Sequence, residues 1–206
     1  MSGVRIGIDF DNTIICYDQV FAAAARQRGL VSDEWTGSKT DVREYLRSKP
    51  GGELAWQGLQ GWVYGKGIVG AEIFPGVMDF LGACRLNGAG VYIVSHKTQF
   101  GHQDPDRTDL RMAARDWLRA TGLIGDENSA LTVNDVYFED TQAAKVERLA
   151  SLDLDVFIDD LVDVFEQPHF PQGIKSILFA SSVNARPGAY KSIASWAEIQ
   201  REVFAA

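Results

Sequence analysis

Asp9-Phe10-Asp11-Asn12-Thr13 follows directly on an apolar run, Val4-Arg5-Ile6-Gly7-Ile8. Two carboxylates two residues apart, where a strand opens into a loop, can converge on one cation and one substrate phosphorus. A carboxylate that attacks phosphorus forms an aspartyl-phosphate and divides one hard hydrolysis into two easier steps. The neighbouring carboxylate can protonate the leaving oxygen and later take a proton from the attacking water. Asp and Asn also form turns after strands for purely local reasons. The rest of the chain has to decide between the two.

Short β-branched runs alternate with longer helical patterns, which predicts a parallel sheet flanked by helices. After the first run, strands are expected at Val91-Tyr92-Ile93-Val94-Ser95, Asp135-Val136-Tyr137-Phe138, Asp155-Val156-Phe157-Ile158-Asp159 and Ile174-Lys175-Ser176-Ile177-Leu178-Phe179, about five in all. Three of them end on a polar or acidic residue: Asp9, Ser95 and Asp159. In an open parallel sheet the carboxyl ends of the strands are where ligands bind. Asp160 follows Asp159, and two carboxylates buried at a strand end are costly without a cation.

Helices are expected between the strands. Val77 to Leu86 follows Pro75-Gly76 and runs into the turn signal Asn87-Gly88. Leu110 to Ala120 carries Leu110, Ala114, Trp117 and Leu118 at helical spacing and is stopped by Gly122. Ala143 to Leu152 precedes the Asp159 strand. A tail helix opens on a capping box, Ser195 with Glu198 three residues on.

The stretch 16–74, with Trp35, Trp56 and Trp62, breaks the alternation. Its apolar residues suit two to four helices and no convincing strand. Roughly 60 residues between adjacent core strands is too long for a connection without structure of its own. It reads as a small helical cap inserted after the first strand, with 1–15 and 75–206 forming the α/β core. Gly61-Trp62-Val63-Tyr64-Gly65-Lys66-Gly67 superficially resembles a phosphate-binding loop. The glycine spacing is one short, and Gly67 stands where a metal-binding Ser or Thr is needed.

The 206 residues are enough for one full core with an insertion, and 46% hydrophobic with 23% charged residues fits a folded globular chain. A formal net charge of -8 disfavours a nucleic acid polymer as partner, but not a small anion bound beside a cation. Cys16 and Cys84 match no metal-ligand spacing and read as two packed thiols in a reducing compartment. No run reaches the ~18 apolar residues that a membrane span requires. A cytoplasmic protein is expected, with no membrane partner, and the sequence leaves its oligomeric state open.

These motifs, in this order, resemble the haloacid dehalogenase superfamily of phosphohydrolases over nearly the whole chain. Asp9, Asp11 and Thr13 match its first motif and Ser95 its second. Lys145, in Thr-Gln-Ala-Ala-Lys-Val-Glu-Arg-Leu, matches its third, and Asp159-Asp160 its fourth. Phe74-Pro75-Gly76-Val77 is similar to the family's return from a helical cap into the core.

The resemblance implies a Rossmann-like α/β core and a Mg²⁺-dependent phosphatase acting on a small phosphorylated metabolite. It makes Asp9 the nucleophile and Asp11 the general acid/base. Thr13, Ser95 and Lys145 would hold the phosphoryl group. Mg²⁺ would be held by Asp9, by Asp11 through its backbone carbonyl, and by Asp159 and Asp160, with the division between the last two left open. Asp163 is either a support for this site or a helix-start carboxylate. Phosphoryl transfer to another hydroxyl, as in a phosphotransferase or phosphomutase, and a non-catalytic binding module are the alternatives.

The segment from His96 to Arg107 is an unusually polar loop after Ser95. Lys97 or Arg107 could take a second anionic group there, with His102 a donor, or the loop could simply be solvated. His169 reads as structural in a rigid turn.

Overall fold

In a computed structural model, residues 3–125, 131, 135–180 and 190–204 are described. They form eight strands and eight α-helices. By their contacts they group into two units, one of Met1–Ile14, Ile73–Lys97 and Arg119–Ala206, the other of Ile15–Glu72 and Thr98–Leu118.

The first unit is built on a six-stranded sheet in the order β5-β4-β1-β6-β7-β8. Its strands are β1 (Arg5–Ile8), β4 (Gly90–His96), β5 (Val136–Glu139), β6 (Val156–Asp159), β7 (Lys175–Phe179) and β8 (Lys191–Ile193). Every pairing is parallel, with Ile8 opposite Ile93 on one side and Ile158 on the other. Buried parallel strands read as continuous apolar runs, and five of the six were expected on that ground. The sixth, β8, is a Lys-Ser-Ile edge strand with no such run.

Helices interrupt the strands. The expected α4 (Val77–Leu86) and α5 (Leu110–Ala120) form over those residues, α6 spans Gln142–Ser151, and α8 spans Trp196–Phe204. A single turn, α7 (Val162–Phe165), carries Asp163 in its first turn. Leu149, Leu152, Leu154, Phe157, Val164, Phe165 and Leu178 pack with Val94 into one core cluster. Trp196 packs with Phe80 and Phe179 into another, at ring separations of 5.1 and 5.7 Å.

One glycine is needed for this packing. A Cβ on Gly7 would lie 2.5 Å from Leu154 Cδ1 and 2.9 Å from Phe157 Cδ2. A methyl group there would require Leu154 and Phe157 to give way.

The second unit is helical, with α1 (Asp18–Gln27), α2 (Lys39–Arg47), α3 (Gly52–Tyr64) and a short 3-10 helix, Lys66–Gly70. Phe21 stacks on Trp56 at 5.0 Å and Tyr17 meets Tyr64 at 4.9 Å, which gives this unit an aromatic core. Ser38 and Asp41 form a capping box on α2. The segment from Thr98 joins through close backbone approach, since a Cβ on Gly101 would sit 2.6 Å from Gly61 Cα. β2 (Ile15–Cys16) and β3 (Glu72–Ile73) form a separate two-stranded sheet. Among the described residues no helix is long and apolar enough to cross a membrane.

Candidate active site

β1 lies between β4 and β6, so successive strands depart from it in opposite directions across the sheet. Such a reversal leaves a crevice at the carboxyl ends of the strands. Asp9 leaves the end of β1, Ser95 lies next to the end of β4, and Asp159 ends β6. All three are buried. Asp9 N–H donates to Ile158 O at 2.9 Å, which carries the β1–β6 ladder up to the acidic residue.

The loop after Asp9 turns tightly. Ile14 N–H donates to Phe10 O at 3.1 Å, and Asn12 takes a left-handed φ of 58°. Asparagine accepts that conformation more readily than most residues. The turn leaves Thr13 fully buried, with its carbonyl accepting from Trp196 Nε1 at 3.2 Å. Thr13 Oγ1 has no hydrogen-bond partner among the described residues. A buried, unpartnered hydroxyl costs about 1–3 kcal/mol, so its position has no explanation in the stability of the protein alone.

Lys145 comes from α6, whose N-cap Thr141 accepts from Ala144 N–H at 3.1 Å. A cation in the first turn works against the helix dipole, so helix stability does not account for it. Its buried ammonium donates to Asp9 Oδ1 at 2.5 Å and to Asp159 Oδ2 at 2.6 Å. Asp159 Oδ1 accepts from Leu161 N–H at 2.9 Å. Burial disfavours charge on Lys145, but Asp159 and Asp9 outweigh it and hold the ammonium above its ordinary range. Asp159 is pulled both ways. Burial, and then Asp9, push its carboxyl up to about 7 against the pull of Lys145 and the Leu161 N–H.

Asp160 is half-buried beside this group. Asp9, Asp159 and Asp160 each offer a carboxylate oxygen, and these lie within 4.8 Å of one another. A carboxylate oxygen can accept a hydrogen bond and still offer a lone pair to a cation. Three hard oxygen donors in a buried site with one lysine fit a divalent cation such as Mg²⁺. Asp163, by contrast, is exposed in the first turn of α7. It is a helix-start carboxylate.

One participant escaped the sequence reading. Lys97, expected at most to take a second anionic group, is 3% exposed and places Nζ 2.8 Å from both Asp11 Oδ1 and Asp11 Oδ2. The available signal was strand alternation, which puts Lys97 on the same face as Ser95 two residues earlier. Arg107 lies over the Phe100 ring at 4.5 Å, within the second unit.

No protein-family model matches the sequence, and no curated protein sequence does either. Solved structures do resemble it. A haloacid dehalogenase-like hydrolase, SP0104 from Streptococcus pneumoniae, aligns with a TM-score of 0.61 at 16% identity over 98% of both chains. Protein Tyrosine Kinase A from Mycobacterium tuberculosis gives 0.62 at 16% identity, covering 98% of this chain and 99% of its own. The magnesium-bound structure of YfnB from Bacillus subtilis, described as a HAD-hydrolase, gives 0.60 at 12% identity over 99% and 100%. Likeness at these identities speaks to fold, and here it agrees with a six-stranded parallel sheet flanked by helices. This chain has the haloacid dehalogenase-like fold.

Proposed function

We propose that the chain is a Mg²⁺-dependent phosphohydrolase that cleaves a small phosphate monoester through an aspartyl-phosphate on Asp9. The observation that carries this is the meeting of Asp9, Asp159 and Lys145 in one buried group beside Asp160. A protein with no chemistry to perform has no use for two buried carboxylates on one lysine, since well-packed apolar residues serve stability as well or better.

In this reading an Asp9 oxygen attacks phosphorus, a P–O bond forms to it, and the ester P–O bond breaks. The leaving oxygen takes its proton from Asp11. Asp11 then accepts a proton from water, which attacks the aspartyl-phosphate and releases phosphate and the Asp9 carboxylate. Lys145 offsets the negative charge of Asp9 and the phosphoryl group, which otherwise repel. Thr13 and Ser95 donate to phosphoryl oxygens, which would give the Thr13 hydroxyl its partner. Mg²⁺ would be held by Asp9, Asp159, Asp160 and the Asp11 backbone carbonyl, and would add charge neutralisation at the phosphoryl oxygens.

Transfer to a hydroxyl in place of water is the second reading. The likeness to a protein named as a tyrosine kinase favours keeping it, because the same core then serves phosphoryl transfer to an acceptor. Turnover of p-nitrophenyl phosphate, with and without Mg²⁺, tests the first reading against Asp9→Asn. Metal-dependent release of p-nitrophenol that Asp9→Asn abolishes supports it. Release of nitrophenol in excess of phosphate when an alcohol is added would favour transfer. Absence of turnover on a broad panel of phosphate esters would leave the fold without this chemistry.

A further inference from the structure

We infer that Trp196 is a positioning residue for the loop that begins at Asp9, and that its indole N–H sets the Thr13 hydroxyl where a phosphoryl oxygen meets it. The inference rests on the phosphohydrolase reading and deepens it.

Inside the loop, Ile14 N–H donates to Phe10 O. The next two carbonyls are held from outside it. Thr13 O accepts from Trp196 Nε1 at 3.2 Å, and Ile14 O accepts from Phe74 N–H at 2.9 Å. Thr13 and Trp196 stand 183 positions apart, so the first residue of α8 fixes the loop that follows β1. Both residues are buried.

The donor has little room to move. Phe80 and Phe179 flank the indole, and a Cβ on Gly76 would lie 3.0 Å from Trp196 Cβ. Phe179 also meets Phe74 edge-on at 5.0 Å. The two residues that hold the loop carbonyls, Phe74 and Trp196, thus pack against the same ring. A side chain locked by its neighbours presents its donor in one place.

A buried indole N–H needs an acceptor in any case. Trp117 Nε1 finds one in Ala71 O at 3.2 Å, with no reacting group nearby in the chain. Trp196 differs in what it holds. Thr13 carries a hydroxyl with no hydrogen-bond partner among the described residues, four positions after Asp9. Threonine is β-branched and has few χ1 positions. Pinning its carbonyl fixes the backbone from which the side chain projects, and so confines Oγ1 to those few places. A donor fixed beforehand costs no reorganisation when charge develops on the phosphoryl group.

The test separates the indole ring from its N–H. Steady-state kinetics with p-nitrophenyl phosphate and Mg²⁺, and urea unfolding, compare the full-length wild type with Trp196→Phe, Thr13→Val and the double variant. Trp196→Phe keeps an aromatic ring and removes the donor. It should lower kcat by about tenfold, short of the loss on removing the hydroxyl itself. In the Thr13→Val background it should lower kcat no further, because the hydroxyl that it sets is gone. The urea midpoint should fall by about the same amount in both backgrounds. Should Trp196→Phe not fold, 3-benzothienylalanine at position 196 keeps the shape of tryptophan, with sulfur in place of the N–H. It should give the same loss of kcat and the same absence of further loss beside Thr13→Val.

Unchanged kcat on removal of the N–H, or an equal further loss in the Thr13→Val background, would overturn the inference and leave Trp196 as packing alone. Failure of the underlying reading looks different, and the inference falls with it: the wild type then has no turnover, and Asp9→Asn is indistinguishable from it.

Discussion

Lys145 Nζ lies 2.6 Å from Asp159 Oδ2, and both side chains are buried. Asp9 Oδ1 shares the same ammonium. Removing the cation leaves two carboxylates facing each other without water. Lys145→Met should therefore cost about 3–5 kcal/mol, the usual penalty for breaking a buried pair from one side. Denaturant unfolding in the absence of metal measures it. Adding Asp159→Asn to Lys145→Met should restore part of the stability while leaving the protein inactive. A Lys145→Met protein as stable as the wild type would mean that the carboxylates find other relief.

A divalent cation offers such relief. Mg²⁺ at about a hundred times its Kd should stabilise the fold by about 2.7 kcal/mol, and chelation should reverse this. In thermal unfolding the shift should shrink or vanish in Asp159→Asn and in Asp160→Asn. The comparison also divides the work between the two aspartates, because the direct ligand should lose more. A shift retained in both variants would place the metal elsewhere.

Thr13 separates function from stability. Its hydroxyl has no hydrogen bond to lose, so Thr13→Val, which keeps the shape, should leave unfolding unchanged or raise stability by up to about 1 kcal/mol. Turnover should nevertheless fall on the order of 10²-fold, as when one donor to a developing charge is removed. A fall in stability with activity intact would make Thr13 a packing residue.

The site was legible where it lay on regular elements. β1, β4 and β6 are buried on both faces, so their β-branched runs announced them, and each run pointed its last residues at the strand ends. Lys145 could be placed because it lies near the start of the helix expected from Ala143 and matches the third motif of the family resemblance. Lys97 was harder to read. It follows Ser95-His96 and precedes a run of polar residues, so its position resembled a loop, although the β4–β5 ladder extends to it. β8 has one buried apolar residue, Ile193, in three, too little for any period to show. The grouping of Thr98–Leu118 with the helical segment depends on contacts such as Gly101 with Gly61, forty residues apart in the chain, which no local pattern displays.

Cys84 should shape the alkaline limit of stability. Burial pushes its thiol up to about 12, with a backbone hydrogen bond opposing. In the unfolded chain the thiol ionises near ~8.5. Between these values the unfolded state has lost a proton that the folded state retains, so stability falls as pH rises and is fully present only below ~8.5. The slope from this one group is at most about 1.4 kcal/mol per pH unit. Urea midpoints from pH 7 upward should therefore fall more steeply for the wild type than for Cys84→Ala. Parallel curves would show that the thiol is exposed to solvent before unfolding.

The last test links the sheet to the chemistry. Gly7 stands two residues before Asp9, and a methyl group there would press on Leu154 and Phe157 at 2.5 and 2.9 Å. Phe157 is the partner of Gly7 in the β1–β6 register and lies two residues before Asp159. Gly7→Ala should thus push β1 and β6 apart at the point that sets the spacing of Asp9 and Asp159. Overpacking of this kind costs about 1–3 kcal/mol, and misplacement of reacting groups by about 1 Å can cost 10²-fold in rate. Loss of turnover and weaker Mg²⁺ stabilisation should therefore appear together, with the protein still folded. Leu154→Ala, which clears the nearer obstacle, should restore part of both in the double variant. If Gly7→Ala lowers stability alone, β1 absorbs the methyl group without moving its carboxyl end.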